Sequence, residues 1–286
     1  MDPLTSVFTV FVLLLTFVLV TLAAQILRRQ SRVRLGLRPI AAYRRIPVHV
    51  SEAVESERPI HVSFGGSGLG LESTASAMAV ADLLYPLAER AAVAEQPPLV
   101  TVADPTALGL AQGTLIRAYR ARENLGAFRN AGVRWYPQGP RSLAFAAGVS
   151  GAIADEDSNL SVVGGAFGPE IAFIGEMATR YDQAFFAQSD HLDGQAIGWV
   201  MSAAPLIGEE LYVAGAYLAR RPSSLQLGQI LAMDGLRALV VLAILLVAAF
   251  TFIREWFVQI AIVLGVIVLV TALYYVVATR RQRGRQ

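Results

Sequence analysis

Cysteine and lysine are both missing from this chain of 286 residues. The first absence removes disulfides, thiolate nucleophiles and cysteine-rich metal sites together. The second leaves arginine to supply all 24 basic residues. It excludes phosphate loops of the Walker type, which place a lysine on the β- and γ-phosphates. It also excludes Schiff-base chemistry and the lysine of a protein kinase. Histidine is scarce, and His49, His61 and His191 are too scattered to read as a metal site. Charge is sparse as well. Only 16% of residues are charged against 55% apolar, and the mean hydropathy is +0.50. Those values are too high for an ordinary soluble domain and suit a chain partly embedded in a bilayer.

What is present begins with three uncharged apolar stretches: Val7 to Leu27, Ala238 to Ile253 and Trp256 to Ala278. The first, at about 21 residues, spans a hydrocarbon core of roughly 30 Å as a helix. It is too long for a signal-peptide core and lacks a basic segment before it, so it reads as an uncleaved anchor. The second is short, and Arg237 and Arg254 can snorkel to lengthen it. Arginine follows the first stretch at positions 28, 29, 32, 34, 38, 44 and 45, and the last at 280, 281, 283 and 285. Positive-inside logic applied to either cluster puts the N-terminus outside and everything between the first and second spans in the cytoplasm. The formal charge of +2 hides this asymmetry. Between residues 51 and 237 the chain is near neutral or acidic, so no nucleic-acid face is expected.

From Pro59 onward, apolar β-rich runs alternate with helix-compatible segments. Strands are predicted at Pro59–Phe64, Leu99–Ala103, Val133–Tyr136, Asn159–Val163 and Ala184–Ala187. Helices are predicted at Val48–Ser56, Ser73–Glu95, Thr106–Asn130, Ser142–Asp155 and Pro169–Tyr181. Five βα units in series predict an α/β fold: a doubly wound, mainly parallel five-stranded sheet, Rossmann-like, to which three transmembrane α-helices are added. Ile197 to Leu218 is apolar enough for a fourth span. Glu209 and Glu210 at its centre argue instead for a helix packed on the domain, with an ion pair to an arginine such as Arg220. Ser223 to Arg237 reads as an amphipathic helix in which Asp234 and Arg237 pair. The expected organisation is an anchor at 1–27, a basic linker at 28–58, the α/β domain at 59–222, an amphipathic helix and membrane hairpin at 223–279, and a basic tail at 280–286.

Ligands of doubly wound sheets bind beyond the carboxyl ends of the strands. The residues placed there by the predicted strands are Gly65, Gly66, Ser67, Gly68 and Gly70, then Asp104 and Thr106, then Gly164 and Gly165, then Ser189 and Asp190. Glycine lets a backbone approach a ligand, and a helix N-terminus offers free amides. A small anionic or nucleotide-like ligand is the chemistry this pattern suggests, with the cofactor left open. The spacing is not the dinucleotide fingerprint, because Leu71 stands where a small residue belongs. The duller reading gives βα turns their glycines and has Asp104 and Thr106 cap the next helix. No catalytic residue emerges. Gly65 to Leu69 fails as a nucleophile elbow at Leu69. Asp190, His191 and Asp193 read as a solvated turn, and His61 as a satisfied histidine within a strand.

Three stretches carry a resemblance: His61-Val-Ser-Phe-Gly-Gly-Ser-Gly-Leu-Gly70 with Thr74-Ala-Ser76, Gly165-Ala-Phe-Gly-Pro-Glu170, and Pro205-Leu-Ile-Gly-Glu-Glu-Leu211 with Ala214-Gly-Ala-Tyr217. Together they resemble a family of uncharacterised bacterial membrane proteins described as a domain of unknown function. The resemblance implies a multi-pass protein of the bacterial inner membrane and a single recurring site or core built from the three motifs. It carries no activity to transfer. The function expected is a membrane-anchored binding or scaffold module. A nucleotide-cofactor-dependent enzyme and an accessory subunit of a transporter or larger complex are the alternatives. Expected partners are the lipid bilayer, anionic lipid along Arg28 to Arg45, and further copies or other membrane subunits.

Overall fold

The structure, a computed structural model, describes residues 38–230 apart from 71, 139–141, 221 and 224, with isolated positions on either side. The three apolar stretches lie almost wholly outside the described residues. The positions described within them, such as Leu14, Phe17, Leu22, Val240 and Ile244, are helical. Among the described residues no helix is long and apolar enough to cross a membrane. The chain divides into two compact units, one of Met1–Val20 with Leu231–Gln286 and the other of Thr21–Ile230.

The second unit is an α/β domain. Its strands are β1 (Ile60–Gly65), β2 (Leu99–Val102), β3 (Val133–Trp135), β4 (Leu160–Ala166) and β5 (Ala184–Ala187). Helix α1 (Ala41–Glu55) precedes β1. Then α2 (Thr74–Ala91), α3 (Thr106–Ala121), α4 (Leu143–Asp155), α5 (Ile171–Arg180) and α6 (Leu192–Met201) follow the five strands in turn. A 3-10 turn at Gly208–Val213 leads into the short α7 (Ala214–Leu218). The sheet order is β3-β2-β1-β4-β5 and every pairing is parallel. This is the doubly wound order, with its reversal between β1 and β4. The predicted α/β fold with a parallel five-stranded sheet therefore holds.

Both faces of the sheet are covered, so the strands are buried on both sides, and the polar residues within them, His61, Ser63, Thr101 and Ser161, are buried as well. Val62, Val100 and Val162 share one face by register, beneath α1, α2 and α3. Leu99, Val163, Phe185 and Ala187 share the other. They pack with Phe145, Val149 and Ile153 of α4 and Ile171 and Ile174 of α5.

Several boundaries differ from the sequence reading. Helix α1 begins at Ala41, inside the segment read as linker, and runs through Pro47. Ala42, Tyr43, Ile46, Val50 and Ala53 recur at helical spacing and are all buried. That burial outweighs the hydrogen bond lost at proline. Helix α3 stops at Ala121, and short 3-10 turns at Leu125–Ala127 and Asn130–Gly132 replace its predicted end. Strand β4 continues to Ala166, so Gly164 and Gly165 belong to the sheet. Ile197 to Leu218 is not one helix. Helix α6 ends at Met201, and Ser202 to Leu206 runs beside β5, with the Ala203 and Leu206 amides donating to Phe185 and Ala187 carbonyls at 3.0 and 3.1 Å. An edge strand that would otherwise offer unpaired carbonyls is thereby covered. Arg237 pairs with Asp234 at 3.1 Å, as expected.

Candidate functional site

The sheet brings the predicted site residues to one carboxyl edge, around the reversal between β1 and β4. What they do there is bond to one another. Five successive amides of the glycine turn have acceptors within the chain. Gly66 donates to the Ala166 carbonyl at 2.8 Å and Ser67 to the Phe64 carbonyl at 3.1 Å. Gly68 donates to Ser73 Oγ at 3.1 Å, Leu69 to Thr106 Oγ1 at 2.8 Å, and Gly70 to Thr74 Oγ1 at 2.9 Å. The Gly65 carbonyl accepts from the Ala103 amide at 2.9 Å. A phosphate cradle needs such amides free and converging. Here they are spent on closing the turn.

Asp104 adds to this. Its Oδ1 accepts the Thr106 amide at 2.7 Å and the Thr106 hydroxyl at 2.5 Å, which holds the start of α3. A Cβ on Gly68 would lie 2.4 Å from the Asp104 carboxyl carbon, so the carboxylate sits against the turn where an anion would have to approach. Asp104 thus holds the first residue of α3, while Thr106 ties that residue to the glycine turn and caps nothing itself.

Ser67 is the centre of the seam. It is fully buried, its Oγ accepts the Ala166 amide at 2.8 Å and it shares a hydrogen bond with Ser76 Oγ at 3.1 Å. Gly165, at φ +110°, passes directly beneath it, and a Cβ there would stand 2.2 Å from Ser67 Oγ. Gly164 leaves room for Leu211 and Val80 above the strand. Ser189 and Asp190 extend the same network. Ser189 Oγ donates to the Phe167 carbonyl at 2.5 Å, and the Asp190 amide to the Gly165 carbonyl at 3.0 Å. Beneath the seam, His61 is wholly buried. Its Nε2 lies 2.9 Å from Thr101 Oγ1 and its Nδ1 3.2 Å from Ser161 Oγ. Burial pushes its pKa down to about 3, so the imidazole is neutral. It is the satisfied histidine expected of a strand.

The open space lies one strand further along. A cleft of about 520 Å³ sits beyond the ends of β3, β4 and β5, and it draws together the Gly168-Pro169-Glu170 turn, His191 and Asp193, which the sequence reading places outside its ligand site. Its polar lining includes Gln138, Ser142, Glu170, His191 and Asp193, with Phe173 and Leu143 as apolar walls. Glu170 is 4% exposed, and its Oε1 accepts the Gly168 amide at 2.8 Å. The absence of a side chain at Gly168 permits this, because a Cβ there would meet Glu170 Oε2 at 2.7 Å. Gln138 donates to Ser142 Oγ at 2.8 Å and also lies over Gly66, so the cleft abuts the closed turn. Among the described residues, two carboxylates, an imidazole, an amide and a hydroxyl make a lining richer in acceptors than in cations. No group of three metal-ligating side chains is found among the described residues. The signal that could have found this cleft is Gly168-Pro169-Glu170, with a carboxylate placed at the start of a helix right after a strand.

The third motif does something else. Glu210 is 9% exposed and ion-paired with Arg38, and its Oε2 accepts the Ile207 amide at 3.0 Å. For Glu210 the partner is this arginine some 170 residues earlier, which sequence spacing gives no means of finding. Tyr43 donates to the Glu210 carbonyl at 2.5 Å and stacks on Tyr217, whose hydroxyl donates to the Arg38 carbonyl at 2.8 Å. Burial, with Glu210 nearby, holds the Tyr43 phenol well above its ordinary pKa. Glu210 therefore fastens the chain where it enters the domain.

No curated protein and no solved structure matches the chain. A family model described as a domain of unknown function, DUF6754, matches residues 4–279, which is nearly the whole length, and the chain belongs to that family.

Proposed function

We propose that this protein is a membrane-anchored binding module. Its apolar ends hold the α/β domain at the cytoplasmic face of a bilayer, and the Glu170 cleft takes a small ligand rich in hydrogen-bond donors, neutral or cationic. The observation that carries the ligand side is a contrast at one sheet edge. The amides suited to an anion are already bonded, while the neighbouring cleft presents Glu170, Asp193 and His191 beside apolar walls. The anionic, nucleotide-like ligand suggested by the glycine turn is the weaker choice on that ground. The membrane side is supported by the length of the apolar stretches and the two arginine clusters.

Two measurements test the proposal. Reporter fusions at Gln96 and Gln286 should both read cytoplasmic, and a periplasmic reading at Gln96 overturns the topology. The full chain in mild detergent should melt higher with some member of a panel of small amines and polyols, and Glu170→Gln should abolish that shift. A shift produced by nucleotides and removed by Gly68→Asp would restore the glycine turn as the site.

A further inference from the structure

Helix α6 is built inside out. A helix on the surface of a soluble domain turns its large apolar residues inward. Here the buried positions are Gly194 and Gly198, four apart, and the helix lies close on the sheet through them. A Cβ at Gly194 would stand 2.2 Å from the Phe167 carbonyl, and one at Gly198 3.1 Å from Ala187 Cβ. Ile197 and Met201 reach the core from the flanks, and the other large apolar side chains point away. Leu192 is 89% exposed, Val200 81% and Trp199 55%. They recur at the first, eighth and ninth positions of one stripe, with exposed Ala196 between. Among the described residues nothing covers them.

The basic side of α1 adjoins the end of this stripe. Arg45 donates to the Ala203 carbonyl at 2.8 Å, two residues past α6. Arg44, Arg45 and Val48 are all exposed on that side of α1. An apolar stripe containing tryptophan, next to arginines, complements the region of a bilayer where acyl chains meet anionic head groups. The tethers are short as well. Arg38 is fixed to the domain by Glu210. The ten residues between it and Leu27 reach at most about 35 Å when fully extended.

Resting on the reading of the chain as membrane-anchored, we propose that the outer face of α6, with Arg44 and Arg45 of α1, lies on the anionic surface of the same bilayer and seats the domain there. The occupant is lipid. Leu192, Trp199 and Val200 enter the head-group boundary while the two arginines hold phosphate.

The absence of native cysteine permits a direct test with the full chain in nanodiscs. A nitroxide is attached through Val200→Cys in one sample and, as a control on the opposite edge of the domain, through Leu125→Cys in another. In discs containing anionic lipid, the Val200 label should show several-fold greater access to oxygen over a water-soluble nickel reagent than the Leu125 label. Discs of neutral lipid, or Arg44→Glu with Arg45→Glu, should bring the Val200 label down to the access shown by the Leu125 label. Equal access at the two positions in anionic discs overturns the proposal. Shielding of the Val200 label that ignores lipid charge and brings spin–spin broadening between labels would assign the face to a second copy, and also overturns it. A chain that alkaline carbonate strips from membranes would fail the anchor reading itself, and the docking with it. A chain that stays embedded while its Val200 label sees water fails the docking alone.

Discussion

Two glycine-rich turns leave adjacent strands at the same edge of the sheet, and they do opposite things. After β1, residues 66–70 fold back, and each amide finds an acceptor in β1, β4, α2 or the start of α3. After β4, Gly168-Pro169-Glu170 makes one such bond, from the Gly168 amide to its own glutamate, and leaves a cleft beside it. Glycine content alone does not distinguish the two. The difference lies in what surrounds each turn. Ser73, Thr74 and Thr106 bring hydroxyl acceptors to the first, and no comparable set reaches the second. A glycine-rich βα turn signals that backbone comes close to something, and here one of the two comes close only to its own chain.

The comparison breaks most severely at Gly165. It holds φ +110°, and a Cβ would meet Ser67 Oγ at 2.2 Å and the Phe64 carbonyl at 2.9 Å. Gly165→Ala combines backbone strain with overpacking at the seam and should cost about 3–5 kcal/mol. Urea titration of the full chain in detergent reads this as a large fall in the midpoint. A midpoint close to wild type would show the seam to be soft, and the turn free to open for a ligand.

Next in size is a pH effect from beneath the seam. His61 has its folded pKa lowered from 6.5 to about 3, so the unfolded chain binds more protons between those values. Its contribution is complete above pH 6.5 and is lost as pH falls toward 3. Between pH 7 and 4.5 the loss from this group should be about 2–3 kcal/mol. Carboxylates titrate over part of the same range, so the quantity to measure is the difference between wild type and His61→Asn. If both lose stability in parallel, His61 is not held neutral by burial.

How much of this was legible in the sequence follows the same physics. The five strands were visible because short β-rich segments such as Leu99–Val102 and Ala184–Ala187 stand between helix-compatible ones, although β1 alternates apolar residues with His61 and Ser63. The end of β4 was misplaced because Gly164 and Gly165 look like a turn. They are tolerated in a strand only because Leu211, Val80 and Ser67 fill the space above them. Helix α6 was missed because its inward face is Gly194 and Gly198, so its apolar pattern points the wrong way for the usual reading. The turn residues were found, and so were Asp104 and Thr106 beside them at the start of α3. Their mutual bonding was hidden, since it depends on loops separated by 37 residues meeting at 2.8 Å. The cleft was hidden for a related reason. Gln138, Glu170 and Asp193 come from three different loops and share no local spacing.

Ser67 gives a smaller and more diagnostic effect. Ser67→Ala keeps the turn's backbone and removes the acceptor of the buried Ala166 amide. An unsatisfied buried donor costs about 1–3 kcal/mol. The matching change across the edge, Glu170→Gln, should leave stability within about 0.5 kcal/mol, because the amide oxygen can still accept from Gly168. If the two variants melt alike, the contrast between a structural seam and an available cleft fails.

Gly70 supplies the weakest test and the cleanest separation of causes. It has φ +88°, yet a Cβ there would have nothing within 4 Å. Steric clash is therefore absent, and only the left-handed backbone resists a side chain. Gly70→Ala should cost about 1 kcal/mol, as expected for an L-residue held in that region. Gly165→Ala, by contrast, carries both penalties. The difference between the two variants measures how tightly the inner part of the turn is packed, free of the conformational cost they share. A difference of less than about 1 kcal/mol would mean that strain alone governs both sites and that the turn is closed by hydrogen bonds rather than by packing.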